Sequence, residues 1–275
     1  EYTPRTKFVE LVMNGAYHGL YQLTEQLKID ENRVDVGDDG FLLEIDGRAG
    51  EDPDDVYFRD NRLNRNIVIK DPDVAYGSDD FEYVKAYIAS VSSALYTLGS
   101  DNGSQAYQDL IDVPSFVDWY LVNELTRNAD ACTFFSSCYM NLKRGEKLKM
   151  GPLWDFDLAV GNYVFAGGEG YNSPTGFSLR YVSWYTNLYK SPQFVSELKS
   201  RFDALYDSRE DLYDNLRSQR DYIREAYIEN ELKWRRLNVG TNRDVISQNF
   251  DTRVEGIVDW LETRFNWMKG EFDQL

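Results

Sequence analysis

The order of apolar and turn residues predicts an α+β fold with a β-rich N-terminal lobe and a mainly helical C-terminal lobe. Residues 1–77 contain short apolar runs separated by glycine, asparagine and aspartate, a pattern typical of strands. Residues 78–275 instead carry apolar residues at helical spacing, interrupted by one β-hairpin near residues 134–158. The chain has 275 residues without a repeat or an obvious linker, so we expect a single domain made of two intimate lobes.

The strands of the first lobe are predicted from turn signals. Asn14-Gly15 is a strong hairpin signal, and it separates two predicted strands at residues 7–13 and 16–24. Further strands are predicted at residues 40–46 and 66–70, with an acidic loop at residues 50–55 between them.

The helices of the second lobe are predicted from apolar spacing and end signals. One helix covers residues 81–98 and ends near Gly99; a second covers residues 113–126, with Asp112 as its N-cap and Pro114 in its first turn. The remaining predicted elements, in order, are a hairpin of strands 134–141 and 147–158 with a turn at 143–146, a glycine-rich loop at 161–176, and helices at 192–205, 209–237 and 244–272.

Composition excludes several function classes. A formal net charge of -17 repels phosphate backbones and anionic headgroups, so we expect neither nucleic-acid nor membrane binding as a main role. No stretch has the apolar length of a membrane span. Cys132 and Cys138 match no zinc pattern and His18 is the only histidine, so a Cys/His metal site lacks ligands. A disulfide between the two cysteines is the alternative, but bridging geometry is poor if residues 134–141 form a strand, so we expect two buried free thiols.

Two aspartates near the middle of the chain are the first candidates for chemistry. In the predicted strand 147–158 the even positions are apolar, which places Trp154 and Phe156 in the core and Asp155 and Asp157 on the opposite face. Carboxylates two residues apart on one strand have Cα atoms about 6.5–7 Å apart and are able to share a hard divalent cation. An ordinary solvated acidic face fits the pattern equally well.

A third aspartate follows the second predicted helix. Asp130 ends the sequence Arg-Asn-Ala-Asp, which by itself fits a simple turn. Its position ahead of a hairpin and a strand-borne aspartate is also the order in which protein kinases place the catalytic base and the metal-binding aspartate.

Several motifs in order along nearly the whole chain resemble those of the CotH kinase family, the spore-coat protein kinases and their secreted relatives. The most specific are residues 151–162, GPLWDFDLAVGN, and residues 14–25, NGAYHGLYQLTE. Residues 41–46, 67–70, 123–130 and 136–139 and the C-terminal helices with Trp260 and Trp267 support the resemblance. The Gly-Pro before Trp-Asp is similar to secreted members that accompany cellulosomes.

The resemblance implies an atypical, secretory-type protein kinase that uses ATP with Mg²⁺ or Mn²⁺. It would phosphorylate Ser or Thr of an extracellular or envelope protein, with cellulosomal or cell-wall partners. Carried over by motif, Asp130 and Asp155 would be catalytic, and Asp155 and Asp157 would bind the metal. The candidates for contact with the nucleotide are Lys70, paired with Glu44 or Glu25, and the aromatic residues Tyr17, Tyr21 and Trp154.

The chain also departs from kinase patterns. It has no Walker lysine motif, no Gly-x-Gly-x-x-Gly loop and no His-Arg before Asp130. By the resemblance, we also expect that the basic segment that usually precedes the hairpin in the family is missing. A non-catalytic pseudokinase or a structural module is therefore the alternative expectation.

Other functional interpretations of the sequence depend on fewer residues. A carbohydrate-associated module would use exposed aromatic platforms, for which the candidates are Tyr163, Tyr171, Trp184 and Tyr185. A Ser-His-Asp hydrolase would have to use His18, and no nucleophile elbow lies near it. A glycoside hydrolase is disfavoured because aspartates two residues apart on one strand do not lie on opposite sides of a glycosidic bond. The acidic turn at residues 35–40 is a candidate for opportunistic Ca²⁺ binding.

Overall fold

The computed structural model describes residues 2–98 and 105–275 and has the predicted α+β class. It is 46% helical and 18% strand, with the strands concentrated in the N-terminal region. The strands are β1 Thr6–Met13, β2 Ala16–Thr24, β3 Gly40–Ile45, β4 Val56–Asp60, β5 Arg65–Asp71, β6 Cys138–Lys143 and β7 Lys149–Met150. The helices are α1 Asp79–Tyr96, α2 Tyr107–Leu110, α3 Val113–Thr126, α4 Ala129–Cys132, α5 Ser183–Leu188, α6 Pro192–Asp207, α7 Arg209–Trp234 and α8 Arg243–Phe272.

The predicted N-terminal hairpin forms from β1 and β2. Its turn residues Asn14 and Gly15 both have positive φ, 53° and 76°, as the tight hairpin turns that suit twisted strands require. The hairpin is fastened to the end of α7, because Trp234 Nε1 donates to the His18 carbonyl (3.1 Å) and the Leu20 N–H donates to Asn230 (3.0 Å). It therefore stands beside the helices and apart from the main sheet.

The main sheet joins strands from both predicted lobes. Its order is β4-β5-β3-β6-β7, and the pairs are antiparallel. The central strand β3 is buried along its whole length, between β5 on one side and β6 on the other. The prediction missed β4, because this five-residue strand follows an acidic loop and ends in the polar pair Arg59-Asp60.

Helix ends follow the local signals closely. For α3, the predicted bounds are confirmed, and the Asp112 carboxylate accepts a hydrogen bond from the Ser115 N–H at 2.9 Å. The first predicted helix begins earlier, at Asp79, because Ser78 is its N-cap. Gly99, where that helix was expected to end, lies outside the described residues. No helix among the described residues has the length and apolarity to cross a bilayer.

The predicted strand 147–158 is wrong beyond Met150. Pro152 has no N–H for a ladder, and Asp155 has a left-handed φ of 61°, so period-2 alternation stops. Trp154 and Phe156 are therefore half-buried instead of lying in the core. The preceding strand also begins later than expected, at Cys138, because Phe134 has a φ of 50° and is buried outside the sheet.

One apolar core connects the sheet to the helices. It extends from β3 and β5 through α1 and α3 to α6 and α8. Cys132 and Cys138 are buried free thiols, as predicted, and burial raises the pKa of both. Trp184 and Tyr185 are 0% exposed in this core, so the prediction that they form surface platforms for sugars is wrong.

Candidate active site

Three aspartates lie close together between the sheet and the helices. Asp155 and Asp157 belong to the segment after β7, and Asp130 lies in α4. Burial, and then the charge of Asp157, raise the pKa of Asp155. Burial, and then the charge of Asp155, raise the pKa of Asp130, while Arg48 opposes that rise. The structure therefore brings the three acidic candidates into one electrostatic cluster.

Asp155 and Asp157 line two neighbouring clefts. The first cleft has a volume of about 680 Å³ and lies between the hairpin, α3 and residues 153–157. The second has a volume of about 510 Å³ and also contains Asp130 and Arg48. Molecules bound in the two clefts would therefore meet at the same pair of carboxylates.

Two side chains restrain Asp155, one at its backbone carbonyl and one at its carboxylate. Asn128 Nδ2 donates to the Asp155 carbonyl at 2.9 Å, and the Ser137 hydroxyl donates to Asp155 Oδ2 at 3.2 Å. A non-glycine residue in the left-handed region costs about 1–3 kcal/mol and persists only where its surroundings enforce it. The Asn128 contact restrains the backbone and the Ser137 contact restrains the side chain, so the Asp155 carboxylate is presented in a defined direction.

Lys70 pairs with Glu44 on the adjacent strand. Its Nζ lies 3.7 Å from Glu44 Oε2 and 3.7 Å from Asp55 Oδ1. Glu44 is buried, and burial raises its pKa even though Lys70 is near. The Ser137 N–H donates to Glu44 Oε1 at 3.0 Å. Ser137 thus connects the ion pair to Asp155, with its backbone on one carboxylate and its hydroxyl on the other.

The first cleft contains one of the predicted aromatic contacts. Trp154 and Phe156 contribute apolar surface to it, and Gln22 and Thr24 of β2 line it as well. A flat apolar wall next to a carboxylate pair suits a ligand with an aromatic ring at one end and a charged group at the other.

The other residues predicted to contact a nucleotide lie elsewhere. Tyr21 falls on the face of β2 opposite Gln22, because side chains alternate along a strand, and Tyr17 lies near Glu10 outside the cleft lining. Glu25 pairs with Arg5 instead of Lys70, with 3.0 Å between Arg5 Nε and Glu25 Oε1. This contact lowers the pKa of Glu25 to about 2.

The carboxylate pair fits a hard divalent cation. Mg²⁺ is commonly held by one or two carboxylates together with phosphate oxygens and water, and a cation would offset the repulsion between Asp155 and Asp157. The buried Asn128 Oδ1, next to Asp155, has no hydrogen-bond partner among the described residues. Across residues 2–98 and 105–275, His, Cys, Asp and Glu side chains form no group of three or more spaced to hold a metal. The two carboxylates are therefore the candidate ligands for such a cation, and Ca²⁺ at residues 35–40 stays a prediction.

Ser137 and Asn128 contact Asp155 and were not singled out from the sequence. Both lie in stretches that support the family resemblance, at residues 136–139 and 123–130. Their place within these family-like motifs was the one sequence signal that pointed to Ser137 and Asn128. The positive φ of Ser137 (58°) and the contacts of both residues across the fold cannot be inferred from the residue types.

A lysine–glutamate pair on a sheet, an aspartate in the short helix after α3 and an aspartate pair after β7 follow the order of the corresponding groups in kinase-like proteins. A family model described as CotH kinase protein matches residues 1–268, and the chain belongs to this family. A comparison with curated proteins gives no match.

Proposed function

We propose that this protein transfers the γ-phosphoryl group of ATP to a Ser or Thr hydroxyl of an extracellular or envelope protein. The observation that carries the proposal is that Asp155 and Asp157 lie where two clefts meet, one with the aromatic wall of Trp154 and the other with Asp130. Membership of the CotH kinase family supports the same reaction class.

Each cleft would hold one reactant. Trp154 and Phe156 would contact the adenine ring in the first cleft. Lys70, oriented by Glu44, lines neither cleft and would have to reach the phosphate oxygens from outside their linings. Asp155 and Asp157 would hold Mg²⁺ or Mn²⁺, which when bound would neutralise charge on the transferring phosphoryl group. Ser137 and Asn128 keep Asp155 in place for this role.

In the proposed transfer, the acceptor oxygen forms a bond to the γ-phosphorus while the bond from that phosphorus to the β–γ bridging oxygen breaks. ADP leaves with the electron pair of the broken bond, and the hydroxyl proton passes to the Asp130 carboxylate. Burial raises the pKa of Asp130, which makes it a stronger base than an ordinary aspartate.

A calorimetric titration with ATP tests the proposal. We expect binding in the presence of Mg²⁺ or Mn²⁺ and its loss when EDTA removes the metal, because the carboxylate pair repels bare phosphates. Trp154→Ala is expected to weaken binding by about tenfold, since it removes stacking surface. The matched control Tyr222→Ala changes an exposed aromatic residue of α7 outside both clefts and should bind as the wild type does. Absence of metal-dependent binding would contradict the proposal and favour the pseudokinase alternative.

Loss of the Ser137 hydroxyl should impair turnover more than nucleotide binding. Ser137→Ala is expected to lower kcat by about tenfold or more with a smaller change in KM for ATP, because a hydrogen bond to a charged group contributes about 1.5–3 kcal/mol. Ser137→Gly removes the same hydroxyl but suits the positive φ, so it separates the lost contact from backbone strain. Steady-state kinetics measure both variants, and a wild-type kcat in Ser137→Gly would show that the hydroxyl has no such role.

A further inference from the structure

The second cleft has an apolar part that the proposed chemistry does not use. Val164, Phe165 and Phe135 line it and are 71%, 60% and 45% exposed. Large apolar side chains that are exposed around one cavity, rather than singly over a surface, mark a place where another molecule is bound. The acidic cluster with Asp130 lines the same cleft.

The loop that carries two of these side chains is held in a defined conformation. The Tyr163 N–H donates to Asn172 Oδ1 at 2.7 Å, and Asn172 Nδ2 donates back to the Tyr163 carbonyl at 2.9 Å. The Tyr163 ring packs against Phe165 and Tyr171, with centroid distances of 5.7 Å and 5.4 Å. The Phe165 side chain therefore lines the cleft from a loop of defined conformation, although most of its surface is exposed.

Charge restricts what this cleft accepts. Its described lining includes three carboxylates but one cation, Arg48, which donates to the Ser136 hydroxyl at 2.8 Å and lies 5.8 Å above the Phe135 ring. An acidic side chain bound here would be repelled by the carboxylates, with an already engaged arginine as its only counter-charge. An aliphatic side chain that packs against Phe135, Val164 and Phe165 is instead removed from water, and this burial favours its binding.

We infer that the second cleft binds the acceptor segment of the protein substrate and selects a segment with a large apolar side chain next to the phosphorylated Ser or Thr. This inference rests on the proposed function, because it requires the acceptor hydroxyl to lie at Asp130. Val164 and Phe165 are then specificity-determining residues, and Asp130 lies within the same cleft to receive the proton.

Short fluorescein-labelled peptides test this selection directly. Each peptide carries one serine in a glycine–alanine background, flanked by leucine, serine, glutamate or lysine. Fluorescence anisotropy is expected to show about tenfold tighter binding of the leucine peptide than of the serine-flanked peptide, because burial of one aliphatic side chain supplies that factor. The double variant Val164→Ser/Phe165→Ser should lose the preference, while Tyr222→Ser, an equally exposed aromatic residue on α7, should keep it.

Transfer of labelled phosphate from ATP to the same peptides separates this inference from the proposed function. A leucine preference that is lost in the double variant, without phosphate transfer, would show that the cleft selects apolar peptides, but it would contradict the kinase proposal and with it the acceptor role of the bound segment. Phosphate transfer without a leucine preference, or a lysine preference that the double variant retains, would overturn the cleft assignment alone. Equal binding of all peptides together with no transfer would overturn both.

Discussion

Asp155→Asn is expected to abolish phosphoryl transfer while the protein stays folded. Asp155 is one of the two carboxylates that both clefts share and the one that Ser137 and Asn128 contact, so its loss removes the centre of the site. We expect transfer to fall by roughly a thousandfold or more, since charge stabilisation of a transition state by one group is commonly worth that factor. Calorimetry should show that metal-dependent ATP binding is lost as well.

Stability should change in the opposite direction from activity. The folded-state pKa of Asp155 is raised, mainly by burial, so its ionised form is disfavoured in the fold above that pKa. At neutral pH, asparagine removes this cost, and the Tm is expected to be unchanged or higher without metal. Asp38→Asn changes an exposed carboxylate outside both clefts and is the matched control. Wild-type transfer in Asp155→Asn would overturn the assignment of this residue.

The largest effect on stability is expected at the buried ion pair between Arg264 and Glu124. Both side chains are 0% exposed, and Arg264 NH2 lies 2.9 Å from Glu124 Oε1. Arg264 NH1 also donates to the Gly176 carbonyl (2.6 Å), and Glu124 accepts from the Ser178 N–H at 2.9 Å. The pair thus joins α3 and α8 to the segment that follows the glycine-rich loop.

Arg264→Met is expected to lower the free energy of unfolding by about 3–5 kcal/mol, because it leaves the Glu124 carboxylate buried without a counter-charge. Adding Glu124→Gln should recover part of this loss, since the second substitution removes the uncompensated charge. Urea unfolding followed by circular dichroism measures both. Arg253→Met, on the exposed face of the same helix, should change the free energy by no more than about 0.5 kcal/mol. A cost below about 1 kcal/mol for Arg264→Met would contradict the assigned role.

The same contacts connect stability to the site. Arg127, the C-cap of α3, donates to the carbonyls of Ser173 (2.8 Å) and Thr175 (2.6 Å), and it directly precedes Asn128. Loss of the Arg264 pair frees the segment that Arg127 holds, so we expect the position of Asn128, and with it that of Asp155, to become less defined.

Local signals predicted the elements that depend on a few adjacent residues. The Asn14-Gly15 turn predicted the hairpin, and Asp112 with Pro114 predicted the start of α3, because turn and cap preferences act within about four residues. The strand predicted at residues 147–158 failed because alternation alone does not reveal a left-handed residue at Asp155. The acidic pair lies in the segment after β7, and the strand face expected to carry it does not exist.

The sequence by itself determined the class of fold, the family and the chemical groups available, because residue type, spacing and motif order are local properties of the chain. Only the tertiary structure decided which of these groups meet. It paired Lys70 with Glu44 and Glu25 with Arg5, it buried Trp184 and Tyr185, and it brought Asp130 beside Asp155. Such contacts join residues far apart in the chain, and they depend on how the elements pack around the common core.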